Sequence, residues 1–262
     1  MRRTASKIYN GWRIQSRNII ALMIRSLMLK YGRGNIGFVW FALEPILLVI
    51  GITFIWTLIG GTHGRIRAVE LVLTGYLPLT LWRHMTGPVV HIFRSNIPAL
   101  FHRHISIFDV IMSRMLLDFL GTTAALLLFL GALIITGAVE GIQSLDYFVL
   151  GWFMMAWIGM ASGILIAAIT EFSEVAERFV GPLQYINLPI SGCFIMVDWL
   201  PPLGQQLILW HPLVHCYEVF RRGYFGETVP THFDIPYFVI CAFLLSFFAV
   251  VSLERVRTHI EV

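Results

Sequence analysis

Four stretches of the chain, residues 119–139, 147–170, 179–197 and 235–253, contain no charged residue at all. About 20 mostly apolar residues are what a helix needs to cross the hydrocarbon core of a bilayer. Lipid offers no partner for backbone polar groups, so such runs must satisfy their hydrogen bonds internally, as helices. A fifth stretch, 36–60, carries Glu44, and a sixth, 69–93, carries Arg83. The expectation is an all-α integral membrane protein with six transmembrane helices. Composition agrees: 57% of the 262 residues are apolar and 13% charged, against about 25% charged in a soluble domain. That leaves no room for a second, water-soluble domain.

Basic residues concentrate on the cytoplasmic side of membrane proteins. With six spans and a cytoplasmic N-terminus, the inside receives Arg2, Arg3, Lys7, Arg13, Arg17, Arg25, Lys30, Arg33, Arg94, Arg103, Arg114, Arg178, Arg255 and Arg257. The outside receives only Arg65, Arg67, Arg221 and Arg222. Both termini are therefore expected in the cytoplasm. Arg2, Arg3 and Lys7 resemble the start of a signal peptide. However, Arg25 interrupts the apolar run that follows and no A-x-A site comes after it, so the segment reads as retained.

The expected organisation is a cytoplasmic segment over 1–35, a six-helix membrane domain over 36–254 and a cytoplasmic tail over 255–262. Within residues 10–30, Trp12, Ile19, Ile20, Met23 and Leu27 form one helical stripe, with Arg13, Arg17 and Arg25 off it. Such a helix suits the membrane interface, or burial against the bundle. The cytoplasmic loop 94–114 holds a helix-start signal, Ser95-Asn96-Ile97-Pro98. Exposed Leu100, Phe101, Ile105 and Phe108, interleaved with Arg103 and Asp109, suit docking onto a partner or a membrane surface. Residues 198–234 are too apolar for a free loop, and Pro201, Pro202 and Pro212 break them too often for one span. Short re-entrant or interfacial helices over about 198–230 are expected, with Trp199, Trp210, Tyr217 and Tyr224 at the outer interface. Pro182 and Pro189 should kink or break the span before them.

Several chemistries are weighed against this frame. A P-loop requires Gly-Lys-Ser/Thr. The only lysines, Lys7 and Lys30, are followed by Ile8 and Tyr31, so ATP-driven work needs a partner chain. His211, His215, Cys216 and Glu218 invite a zinc reading, but Pro212 stands where H-E-x-x-H has its glutamate, and no metal is expected. Ser162 beside Gly163 could serve an intramembrane serine hydrolase with His84 or His91, although helix packing explains the pair. Cys193, Cys216 and Cys241 read as small packing residues; nothing further supports a Cys193–Cys216 bridge. Arg83 is the sharpest single residue, because an arginine inside a span faces a cavity or a partner. Trp82, His84, Trp40, Trp56 and Tyr76 supply aromatics suited to an acidic sugar polymer. Pairing with Glu44, or snorkelling, explains Arg83 equally.

The run LMLKYGRGNIGFVWFALEP over 27–45 resembles the basic-Tyr-Gly-x-x-x-x-Gly-x-x-Trp-x-x-x-Glu-Pro signature of bacterial polysaccharide-exporting ABC transporter permeases. Further stretches resemble the same family in the same order. They are Thr74-Gly75-Tyr76-Leu77-Pro78 with Trp82; Asn96, Leu100, Asp109 and Arg114; and Trp210-His211-Pro212-Leu213-Val214-His215 with Glu218, Arg222 and Tyr224. The Tyr31-Gly32 and Glu44-Pro45 variants are most similar to the capsular polysaccharide (KpsM-like) branch. His211 departs from the family's usual Asn.

The resemblance implies the permease subunit of a capsular polysaccharide exporter in the bacterial inner membrane. It implies two copies of this chain, each docking an ATP-binding subunit through a coupling helix near 98–109 (Pro98, Leu100, Phe101, Arg103, Ile105, Phe108 and Asp109). ATP and Mg would belong to that partner, with no cofactor here. An acidic, lipid-linked polysaccharide would pass near Lys30, Arg33, Trp40, Trp82, Arg83, His84 and Arg94. Trp199, Trp210, His211, Glu218 and Arg222 would lie in the periplasmic re-entrant region. A periplasmic adaptor, an outer-membrane channel and membrane lipid complete the expected partners; nucleic acid is not among them. The alternatives are a permease for another lipid-linked glycan, such as O-antigen, teichoic acid or lipo-oligosaccharide, and the hydrolase.

Overall fold

The computed structural model describes residues 2–31, 47, 49–55, 57–58, 66–97, 105–139 and 141–260. Among them every regular element is helical and there is no strand. Helix α1 (Arg2–Tyr31) is followed, after a helical stretch at 49–55, by α2 (Ala68–Thr86), α3 (Ile92–Ser95), α4 (Ile107–Ile135) and α5 (Leu145–Phe172). Then come α6 (Glu174–Ile190), a 3₁₀ turn (Val197–Trp199), α7 (Pro202–Ile208), α8 (Pro212–Phe225) and α9 (Ile235–Ile260).

Among the described residues, three segments are long and apolar enough to cross a membrane: Ile107–Ile135, Leu145–Phe172 and Ile235–His259. Their side chains show what surrounds them. Helix α9 leaves Phe243, Leu244, Phe247, Phe248 and Val250 exposed, and α4 leaves Leu127 and Leu128 exposed. An apolar surface of this extent has no place in water, so the chain is an integral membrane protein with lipid against these faces.

Helix α5 is the hub, packing against α2, α8 and α9. Its small residues allow the close approach. A Cβ on Gly151 would lie 2.5 Å from the Phe220 backbone, and one on Gly163 would strike the Met85 carbonyl.

Element ends follow local chemistry. Ser106 and Asp109 form a reciprocal capping box, both bonds at 3.1 Å, which starts α4. The helix therefore begins well before the predicted span at 119, and it absorbs the last part of the expected cytoplasmic loop. Helix α2 stops at Thr86 rather than near 93: Gly87 still bonds back to the Arg83 carbonyl, but Pro88 has no N–H with which to continue the ladder. Helix α6 runs through Pro182 and ends one residue after Pro189, so it occupies Glu174–Ile190 rather than 179–197. Ser173 caps its start by accepting from the Ala176 N–H at 3.2 Å.

Two polar rims mark the ends of the bundle. At one, Arg67 donates to the Ala138 carbonyl at 2.8 Å. At the other, His91 meets Glu177 at 2.9 Å and Arg94 approaches Glu171 at 3.8 Å. Helix α1 packs against α4, burying Leu22 in a cluster with Val89, Ile92, Phe93 and Val110.

Candidate functional site

The first turn of α8 follows from its sequence. His211 is the N-cap, its ring Nδ1 accepting from the Leu213 N–H at 3.3 Å, and Pro212 takes the position that needs no donor. Helix α8 runs antiparallel to α5. The Gly223 carbonyl accepts from the Gln143 and Ser144 N–H groups at 3.1 and 2.8 Å, and the Phe148 and Phe220 rings lie 4.2 Å apart. The α8 C-terminus thus sits at the start of α5. Its first turn reaches partway down α5, where His211, Pro212 and Leu213 share a cavity with Ile158 and Ser162.

Arg221 and Glu218 are almost fully buried on this helix. The Arg221 guanidinium donates to the Cys193 carbonyl at 2.8 Å, to the Ile195 carbonyl at 3.0 Å and to Glu218 Oε1 at 3.4 Å. The other Glu218 oxygen accepts from the His232 N–H at 2.9 Å. The pair joins α8, the turn after α6 and the segment leading into α9. Burial pushes the Glu218 carboxyl up, opposed by Arg221. A buried pair of this kind is costly to break from one side, because the remaining charge is left uncompensated.

His215 has both ring nitrogens engaged. Its Nδ1 accepts from the Asp234 N–H at 2.9 Å, which leaves Nε2–H to donate to the Leu209 carbonyl at 2.9 Å. That assignment describes a neutral imidazole, and burial pushes the His215 and His211 pKa values down. Tyr237 closes the group by donating to the Trp210 carbonyl at 2.7 Å.

Two cavities share the 209–215 segment as a wall. One, of about 350 Å³, is lined by Trp82, Ser162, Gln184, Asn187 and His211 among others. The other, of about 550 Å³, is lined by Trp210, His215, His232, Asp234 and Tyr237 among others. The first brings together Trp82 and His211, two residues predicted in different regions. The second collects aromatic faces with titratable groups, a combination suited to polar, ring-shaped ligands. Among the described residues, no three His, Cys, Asp or Glu side chains form a metal-binding group.

The other predicted residues scatter. Arg83 is half-buried with its guanidinium 5.4 Å from the Tyr185 ring centroid, a cation–π contact between α2 and α6. His84 Nδ1 lies 3.4 Å from Thr122 Oγ1. Arg94 belongs to the rim pair with Glu171. Ile105 precedes α4, Phe108 is exposed on its first turn, and Asp109 is occupied in the capping box. Trp199 packs against the main core, and Trp210 is 77% exposed. Arg222 turns outward to Glu227 at 2.8 Å. Lys30 lies in α1, but its side chain is outside the described residues, as are Arg33, Trp40, Glu44, Pro98, Leu100, Phe101 and Arg103.

Sequence reasoning passed over Arg221 in favour of its neighbour. The signal was present, since Val214, Tyr217, Arg221 and Tyr224 fall on one helical stripe. Ser162 donates to its own helix, to the Ile158 carbonyl at 2.6 Å, while Gly163 packs on Met85, which is helix packing. Cys193 and Cys216 are buried free thiols.

No family model matches the chain. Individual relatives do. It is 34% identical over 249 residues to the capsule polysaccharide export inner-membrane protein BexB of Haemophilus influenzae, covering 95% of this chain and 94% of the relative. It is 33% identical, with the same coverage, to the capsule polysaccharide export inner-membrane protein CtrC of Neisseria meningitidis serogroup B. It is 23% identical to the polysialic acid transport protein KpsM of Escherichia coli, over 90% of this chain and 93% of that protein.

Proposed function

The chain belongs to the family of capsule polysaccharide export inner-membrane proteins, and we propose that it is the permease subunit through which capsular polysaccharide crosses the bacterial inner membrane. The carrying observation is the extent of the similarity: 34% identity across 95% of this chain and 94% of the relative.

The finer reading has six spans, with both termini cytoplasmic and the α1 rim inside. The basic bias and the three plain spans support it. In this reading α7 and α8 are short re-entrant helices entering from the periplasmic side. The packing of α8 along the first half of α5, without crossing, supports this. Two copies form the channel. Each docks an ATP-hydrolysing subunit through residues 98–109, because this chain has no P-loop lysine of its own. ATP binding there pushes the start of α4, and the motion reaches the wall between the two cavities through α5. The polymer passes near Lys30, Arg33, Trp40, Trp82, Arg83, His84 and Arg94 and leaves past Trp199, Trp210, His211, Glu218 and Arg222. It is acidic and lipid-linked, and a periplasmic adaptor and outer-membrane channel receive it.

Complementation tests the substrate class. The chain, expressed with its cognate ATP-binding subunit in a strain lacking its own capsule permease, restores surface capsule. Rescue of O-antigen export without capsule overturns the reading. Purification of the chain without any ATPase whose activity depends on it overturns the coupling.

A further inference from the structure

A groove of about 430 Å³ runs between α1 and the first part of α4. Its α1 wall is Trp12, Ile19 and Met23, and its α4 wall is Phe108, Met112 and Leu116. The spacings are those of single helical faces, 12-19-23 and 108-112-116. Ser16 also borders the groove, but its hydroxyl donates to the Arg13 carbonyl at 3.1 Å and presents no free donor to an occupant. About a quarter-turn round α1 from the groove face, Leu22 is buried in the cluster with Ile107, Val110 and Ile111, which fixes the roll of the helix and hence which face sees the groove. Arg13 and Arg17 do not line the groove; they stand a quarter-turn or more round α1 from its face, both exposed, within reach of its rim by their long side chains.

We infer that this groove holds an anionic diacyl phospholipid of the surrounding membrane, one acyl chain between α1 and α4 and the phosphate beside Arg13 and Arg17. The lining sorts the ligand. Apart from Gln15 and Ser16 the walls are apolar, and they accept a flexible hydrocarbon chain more readily than a sugar. Two arginines at the rim select a negative headgroup, and they select it from the leaflet in which the basic residues lie. The site is distinct from the two cavities beside α8. It gives α1 a role as a lipid clasp: the bound lipid fills the space that direct contact between α1 and α4 leaves open. The inference rests on the interfacial reading of α1.

The test uses the full chain in vesicles and lipids brominated on the acyl chain, which quench tryptophan on contact. The part due to Trp12, one of eight tryptophans, is obtained by difference from Trp12→Phe. With identical brominated chains, phosphatidylglycerol is expected to half-quench Trp12 at about a thirtyfold lower mole fraction than phosphatidylcholine, two arginines being engaged. Arg13→Gln with Arg17→Gln abolishes the preference, and Leu116→Phe, which fills the groove, weakens quenching by both lipids. Equal quenching of the unmodified chain by the two lipids overturns the lipid site while leaving α1 at the membrane. Quenching by neither overturns the interfacial reading as well. An acidic glycolipid that displaces the brominated lipid, when phosphatidylglycerol has no advantage over phosphatidylcholine, assigns the groove to substrate and also overturns the inference.

Discussion

Arg221 holds the Cys193 carbonyl at 2.8 Å, and that same oxygen sits where a side chain on Gly75 would have to go. Three separate parts of the chain therefore meet at one backbone oxygen: α2, the turn after α6 and α8. Removing any one of them exposes or displaces the others.

Gly75→Ala drives a methyl group into the Cys193 carbonyl and costs about 1–3 kcal/mol by overpacking. Gly131→Ala, where a Cβ meets nothing within 4 Å, is neutral or slightly stabilising. Thermal unfolding of the two detergent-purified variants checks this, and equal midpoints refute the close approach.

Breaking the buried pair from one side is the damaging change. Glu218→Ala leaves Arg221 uncompensated and costs about 3–5 kcal/mol. The double variant Glu218→Ala with Arg221→Met removes both charges and recovers part of that loss. A double-mutant cycle on unfolding free energy measures the coupling; strict additivity would show that the two side chains do not act as a unit.

Acid loosens the α8 region. His215 lies outside the spanning helices, and its folded pKa is held below its unfolded value near 6.5. A depressed value means that the unfolded state takes up the proton first. The contribution is intact above pH ~6.5 and declines as pH falls below it towards the folded pKa. His211 shifts in the same direction. The thermal midpoint therefore drops between pH 7.5 and pH 5, and His215→Gln flattens that drop. A flat wild-type profile across the same range contradicts the neutral-imidazole assignment.

Arg83→Ala removes the contact with Tyr185 that ties α2 to α6, a loss of about 0.5–2 kcal/mol. On the transport reading it also lowers surface capsule, while Tyr185→Phe, which keeps a π face, does not. Capsule at wild-type level with normal assembly takes Arg83 out of the mechanism.

The plain spans were legible because hydropathy is a property of composition: α5 and α9 follow directly from 147–170 and 235–253. The ends were not, since they depend on single side chains. Ser106 and Asp109 carry α4 back to 107, and Pro88 stops α2. Proline was a partial guide at α6: the helix runs through Pro182 but ends one residue after Pro189, and it is shifted towards its own cap at Ser173. Arg221 and Arg222 differ by about 100° around one helix. The stripe of Val214, Tyr217, Arg221 and Tyr224 hints at which of them turns inward, but the choice is fixed by the fit of Gly223 on Phe148 and Phe220 on Gly151, a tertiary fact. The pairing of Trp82 with His211 in one cavity has the same origin, because no spacing rule connects positions so far apart in the chain.

Residues 209–215 border both cavities: His211, Pro212 and Leu213 line one, and Leu209, Trp210 and His215 the other. A machine that passes a long polymer must also stay watertight between strokes, and a shared partition makes the seal and the valve the same object. That segment is held at both ends: Pro212 fixes the backbone at the start of α8, and His215 is pinned through its two ring nitrogens.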